Sequence, residues 1–440
     1  MRGSATGSAG SAADPWAAAD AAPDTPERRK ARADAALARV HDIIPKLAKL
    51  RDLPLEKPIP AEYQSAADFR AFVHREVEKE NAKDTDLSAV LLQMGLVTEP
   101  IDLAKAEEQA FATQAAAYYD PAQKKFFLVM VPDSPVMLDA ISAHELTHGL
   151  QDQHFDLQKY LAEDAKGVSQ LDDDQQTARR FVVEGDATLA MFLYAVSDTF
   201  GGKSITPQMI GALRGQLEGM ANQDTSAMVD AMTAQTGMGS GEMADAMKAM
   251  REIPRTILVP MIDSYLKGAL VCLDAYEKGG WPAVDDLYTH PPDSTEEVLH
   301  PEAKLLAHRD PPHEITLPKL PGYDEVTSGV LGELQWRVYF SLWKHDGGDH
   351  VSEDWGGDRF AAVRGKDGKL VVLIATAWDT REAAQRFAQA YGSTVAERVA
   401  AKTHAGEIHV KTEGTRVFVV DGGSDAKLVD ALAAGAKIAP

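Results

Sequence analysis

Cysteine is almost missing from this chain. One thiol, Cys272, in 440 residues excludes a disulfide within the chain. Its setting, Ala269-Leu-Val-Cys-Leu273, reads as a small buried core residue, since a nucleophilic thiol needs a basic, accessible environment. Positive charge is also scarce: 45 Lys and Arg stand against 67 Asp and Glu, a net charge of −22. Nucleic acid and anionic lipid both select basic surfaces, so the balance argues against either partner. No run reaches the ~18–20 apolar residues of a membrane helix, which predicts no membrane span. A signal peptide's hydrophobic segment is absent from the first residues, and their small-residue composition predicts a disordered linker over 1–24. The opening Met1-Arg-Gly-Ser4 looks like an expression-vector leader. The expected compartment is therefore the cell envelope or exterior if a native export signal preceded it, and the cytosol otherwise.

What remains is an ordinary globular composition, 45% hydrophobic and 25% charged, with enough chain for two or three domains. Apolar residues at helical spacing (Ala36, Leu37, Val40, Ile43, Ile44, Leu47, Leu50) predict a helix from Thr25 to Leu50, which Pro54, Pro58 and Pro60 then end. Further helices are expected over 66–81 and 87–118. A turn is expected from Tyr118 to Lys125 and a strand from Phe126 to Val131. The Gly-, Met- and Ala-rich stretch 201–250 reads as helices around a loose loop near Gly237–Gly241. Soft core packing is preferred there to a mobile lid. A helix is expected from Pro260 to Tyr276. Pro311, Pro312 and Pro318–Pro321 suggest a linker. Beyond it, Trp355-Gly-Gly-Asp-Arg359 precedes strands at 360–364 and 370–377, a helix at 381–400, a strand pair at 408–412 and 416–420, and a last helix at 426–434. The domain reading is 25–320 for the main unit and 323–440 for a small α+β unit.

The chemistry concentrates in one helix. Ser134 is a good N-cap and Pro135 suits the first helical position. Ten residues on comes His144-Glu145-Leu-Thr-His148, the H-E-x-x-H pattern. Two histidines four apart share one helix face, where their imidazoles can converge on one ion at about 2.0–2.1 Å per Zn–N bond. Glu145, offset by about 100°, lies beside that ion, placed to take a proton from its water. The strand before this helix reads either as a sheet edge along which an extended peptide lies or as a plain core strand.

A catalytic zinc takes a third protein ligand. His154 has the spacing of the H-E-x-x-H-x-x-G-x-x-H pattern, but Gln151 replaces its glycine. A helix expected from Thr177 to Val196, after a polar loop at 172–174, is apolar on nearly all sides yet carries Glu184-Gly185-Asp186. Buried carboxylates need a metal or a partner. Glu184 is the preferred third ligand, with an ion pair to Arg179 or Arg180 as the other account. Gly185 would allow close helix approach, and Asp186 would orient a ligand imidazole. His300 is the first candidate to stabilise the oxyanion, with Tyr265, His290 and His154 as alternatives.

His144-Glu-x-x-His148 with Glu184 resembles the gluzincin group of zinc metallopeptidases, the thermolysin-like zincins. The wider wording is His144-Glu-Leu-Thr-His-Gly-Leu-Gln-Asp-Gln-His-Phe-Asp156, Val183-Glu-Gly-Asp-Ala-Thr188, Ser294-Thr-Glu-Glu-Val-Leu-His-Pro-Glu302 and Trp355-Gly-Gly-Asp-Arg359. It is similar, across residues 30–420, to a little-characterised set of prokaryotic predicted zincins. The resemblance implies zinc held by His144, His148 and Glu184, with Glu145 as general base. It departs from the thermolysin pattern at Thr188, where an Asp is expected four residues after the ligand Glu. The expectation is a predominantly helical α+β protein: a zincin-like metallopeptidase core with a small C-terminal α+β domain, acting as a zinc-dependent peptidase, an endopeptidase, on peptides or proteins. The rivals are a zincin scaffold turned binding module, a zinc hydrolase of non-peptide amides, and a function centred on the C-terminal unit.

Overall fold

The computed structural model describes residues 26–439 apart from 82–85, 114–115, 133, 164–168, 200, 203, 224–252, 344–347, 405 and 424. The expected linker over 1–24 and the loop near Gly237–Gly241 lie outside the described residues. The chain is a mixed α and β structure in which helix predominates.

Helix α1 (Pro26–Arg51) buries Ala36, Val40, Ile43, Ile44 and Leu47, the stripe its spacing predicted. The proline-rich exit leads to a short strand, β1 (Ala61–Tyr63), and then to α2 (Ala66–Asn81). The stretch read as one helical region to 118 divides into α3 (Leu87–Met94) and α4 (Leu103–Thr113). Gly95 ends α3 in the left-handed conformation (φ 76°), its N–H capping the carbonyls of Leu91 and Leu92. Tyr118 and Tyr119, read as turn, belong to β2 (Ala117–Asp120), which pairs antiparallel with β3 (Lys125–Leu128). The turn is confined to the residues between them, where the Asp120 carboxylate accepts from the N–H groups of Ala122 and Gln123. The sheet order is β1-β3-β2. The strand at 126 is therefore central, the core-strand reading and not the edge one, because β1 adds beside it in parallel; β2 is an end strand.

The H-E-x-x-H helix, α5 (Pro135–Phe155), starts as its sequence dictates, with Ser134 Oγ accepting from Met137 N at 3.5 Å. A single turn, α6 (Leu157–Tyr160), follows. Helix α7 (Asp173–Thr199) begins earlier than expected: Asp173 and Asp174 form its first turn, where negative charge suits the helix dipole, and Asp172 accepts from Gln175 N. After α8 (Pro207–Ala221), α9 (Arg255–Gly279) runs through Pro260 instead of starting there. Proline leaves the Thr256 carbonyl without its helical donor, and the Gln335 side chain supplies one at 2.9 Å. Helix α9 alone among the described helices is long and apolar enough to cross a membrane, yet 61% of its apolar window is buried inside the protein. Cys272 lies on it, fully buried. Helices α7 and α9 cross at Gly185 and Gly268. A Cβ built on Gly185 would sit 2.1 Å from the Gly268 carbonyl carbon, so only glycines permit this separation. Helices α10 (Trp281–Thr289) and α11 (Thr295–Leu299, capped by Ser294) and a π-turn at Glu302–Leu306 complete this part.

The segment read as a linker contains β4 (Glu314–Thr316), paired antiparallel with the last strand, β10 (Lys437–Ala439). Between them lie β5 (Tyr323–Gly329), α12 (Gly332–Leu342), α13 (Gly348–Ser352), β6 (Trp355–Gly365), β7 (Leu370–Trp378), α14 (Arg381–Ala400), β8 (Glu407–Glu413), β9 (Arg416–Gly423) and α15 (Lys427–Gly435). Their antiparallel sheet has the order β5-β6-β7-β9-β8. Trp355-Gly-Gly-Asp-Arg359 is the first half of β6, not a lead-in to it. Its Asp358 accepts from the indoles of Trp336 and Trp355 and from the N–H groups of Leu331 and Gly332, which ties β6 to the start of α12. One face of this sheet shares a core with Val90, Met94 and Leu96, so chain from residues 87–96 packs on the C-terminal unit.

Candidate metal centre

Three elements deliver the site. Helix α5 presents His144 and His148 on one face, with rings 4.8 Å apart and near perpendicular. Helix α7 presents Glu184, and the glycine crossing brings α9 close enough for Tyr265 to stack on His144 at 5.4 Å. His144 Nε2 lies 3.2 Å from Glu184 Oε2 and 3.2 Å from His148 Nε2; His148 Nε2 lies 3.5 Å from Glu184 Oε2. A tetrahedral ion with bonds near 2.0–2.1 Å requires ligand atoms about 3.3 Å apart. The two imidazoles and the carboxylate thus match the spacing zinc needs.

The electrostatics favour a cation. Burial raises the carboxyl of Glu184, but the two imidazoles outweigh it and hold the group well below the usual range. Burial lowers His148, but Glu184 and Glu145 outweigh it and push the ring up to about 9. Glu145 is pushed up by loss of water around its carboxyl, against the pull of both histidines. Its Oε2 accepts from Tyr119 N at 3.0 Å, which anchors it to the end strand β2. Tyr265 is raised well above its ordinary value by burial and by the nearby negative charges of Glu184 and Glu145.

Residues 319–433 match the model of a family described as a domain of unknown function, DUF8575. No curated protein and no solved structure matches the chain. The family match spans the C-terminal sheet and leaves the His144, His148 and Glu184 cluster outside it.

The other singled-out residues are dispersed. His154 bonds the Pro54 carbonyl at 2.8 Å, more than a turn beyond His148. His290 is exposed beside Asp286. His300 is held by the buried carboxylate of Glu333, at 3.0 Å, next to Arg337 on α12. Tyr265 is the member of that group in contact with the cluster. Arg179 bonds the Tyr160 carbonyl, leaving Glu184 to the histidines. Asp186 reaches His148 only through Gln151, whose Oε1 lies 2.9 Å from His148 Nδ1 and whose Nε2 lies 2.9 Å from Asp186 Oδ2. Sequence reasoning overlooked Gln151 in this role, although its place three residues after His148 was a signal. It also overlooked Arg51, fully buried at the end of α1, which pairs with Asp186 at 2.6 Å.

Proposed function

We propose that this chain is a zinc-dependent peptidase of gluzincin type, with a zincin-like core that holds the ion through His144, His148 and Glu184. The observation that carries the reading is the set of three ligand-atom separations, 3.2, 3.2 and 3.5 Å. Zinc, when bound, supplies Lewis acidity and makes a water acidic near neutral pH. Glu145 takes the proton of the attacking water and passes it to the leaving amine; its raised affinity for protons suits the second task. Tyr265 is the donor for the oxyanion in place of His300, because it stacks on a ligand ring while His300 is engaged by Glu333. An extended peptide adds along β2, the end strand beside Glu145. The peptide or protein substrate fits this acidic chain through backbone pairing.

The test is metal analysis of the purified protein with hydrolysis of a mixed peptide library and a panel of small amides. One zinc per chain and peptide cleavage are expected. Glu145→Gln should keep the zinc and lose about 10²–10⁴-fold in rate. Zinc without cleavage by either protein would make the chain a binding module. Cleavage of small amides alone would make it a non-peptide amidase, and absence of zinc would remove the basis of the reading.

A further inference from the structure

We propose that Gln151, Asp186 and Arg51 form a hydrogen-bond relay that fixes the tautomer of His148, so that Nδ1 carries the proton and Nε2 offers its lone pair to the metal. The inference rests on the zinc reading above for its purpose, but its geometry stands on its own.

The hydrogen bonds run inward from Arg51. This guanidinium is fully buried and stacks on Trp281 at 4.4 Å. It donates to both oxygens of Asp186, at 2.6 and 3.1 Å, and to Asp285 at 2.6 Å. Tyr288 donates a further hydrogen bond to Asp186 Oδ2 at 2.9 Å. Asp186, itself fully buried, is thereby locked as an acceptor. Gln151 is fully buried next to it. Its nitrogen donates to Asp186 Oδ2 at 2.9 Å and to the Val183 carbonyl at 3.1 Å. Neither neighbour can donate in return, so the amide has one allowed orientation. A flipped Gln151 would set its oxygen against two acceptors, each contact costing about 1–3 kcal/mol in a dry interior. The allowed orientation turns Oε1 to His148 Nδ1 at 2.9 Å. A carbonyl oxygen only accepts, so Nδ1 must carry the hydrogen. The neutral ring then has its free lone pair on Nε2, the atom that faces Glu184 and His144. Arg51, 97 residues before His148, decides which nitrogen can bind metal. These are positioning residues: none touches substrate or ion.

The experiment compares wild type with Gln151→Met and Asp186→Asn. Asp186→Asn keeps its oxygen at the Oδ2 position, where Arg51, Tyr288 and Gln151 all donate, but sets its nitrogen against the Arg51 Nε–H and removes the charge that locks the relay. Gln151→Met removes the acceptor at His148 Nδ1. Zinc affinity is measured by competition with a chromophoric chelator on folded protein. The His148 tautomer is read from ¹⁵N shifts of labelled histidine in the metal-free protein, at a pH high enough to neutralise the ring. Zinc binding should weaken about 10–100-fold in both variants. The wild-type ring should be protonated on Nδ1, and Gln151→Met, which takes away the acceptor there, should let the proton move to Nε2. A merely structural role would lower thermal stability without moving either readout. Zinc affinity within twofold of wild type in both variants, or a wild-type proton on Nε2, overturns the relay. A wild type that binds no zinc but keeps the proton on Nδ1 upholds the relay and sinks the metal reading instead.

Discussion

Replacing Gly185 by alanine tests the geometry on which the centre depends. The new Cβ would fall 2.1 Å from the Gly268 carbonyl carbon and 2.2 Å from its oxygen, where ordinary contact begins at 3.4 Å. Both atoms are backbone, so no side chain can swing aside, and α7 and α9 must part by about 1.3 Å at the crossing. Overpacking of this kind costs about 3 kcal/mol. The better helix propensity of alanine returns about 1 kcal/mol at most. For a chain of 440 residues unfolding as one unit, a net loss of about 2 kcal/mol lowers Tm by only about 2 °C, so urea titration is the sharper assay. Function is more sensitive. Glu184 is the neighbouring residue, and displacement on the order of 1 Å costs about 10²-fold in kcat/KM. Gly268→Ala should reproduce both effects from the opposite helix, since its Cβ would meet the Phe181 carbonyl oxygen at 2.3 Å. Gly215→Ala on α8, with nothing within 4 Å of the added carbon, should instead stabilise by about 0.4–1 kcal/mol. Wild-type stability and zinc affinity in both crossing variants would refute the close approach of α7 and α9.

Two further outcomes are expected. Tyr265→Phe should lower kcat by about 10²-fold while leaving zinc affinity unchanged, because the hydroxyl acts on the developing oxyanion and not on the ion; an unaltered kcat in steady-state assays would remove it from the mechanism. In the C-terminal unit, burial raises the Asp421 carboxyl, but His404, Arg398 and Tyr391 outweigh it and hold the group below 3.8. A depressed carboxyl stabilises the fold above its unfolded value and loses that contribution as pH falls through its folded one. Urea titrations below pH 3.8 should therefore show wild-type stability falling faster with pH than that of Asp421→Asn, by up to about 1.4 kcal/mol per unit; parallel slopes would contradict the assignment.

Much of the local structure was legible because its causes are local. The cap at Ser134 and the face shared by His144 and His148 need only the geometry of one helix. Helix α14 begins and ends where its pattern does. The misread features depend on partners far along the chain. The choice between edge and core for the strand at 126 stayed open because Ala61–Tyr63, three residues long, pairs with it from 65 positions away. Pro260 was read as a helix start because nothing near it announces that Gln335 will serve the orphaned carbonyl. The prolines around 311–321 suggested a linker because the strand that pairs there lies at the chain's end. His300 drew attention through its polar surroundings, and those surroundings turned out to be a cap at Ser294 and a partner at Glu333.

The residues of the centre betrayed themselves differently, by breaking local rules. Glu184 and Asp186 put two carboxylates in an apolar helix, and Gly185 weakens that helix between them. Each expense has its compensation elsewhere: Glu184 faces two imidazoles, Gly185 admits a second helix, and Asp186 holds Arg51. Arg51 follows the same logic from the other side, a fully buried cation at the end of an apolar stripe. Such a residue persists only where a compensating group exists, so its partner can be sought among the other residues that break the pattern. By that rule Arg51 and Asp186 were a pair to be expected, and the relay to His148 follows once Gln151 is placed between them.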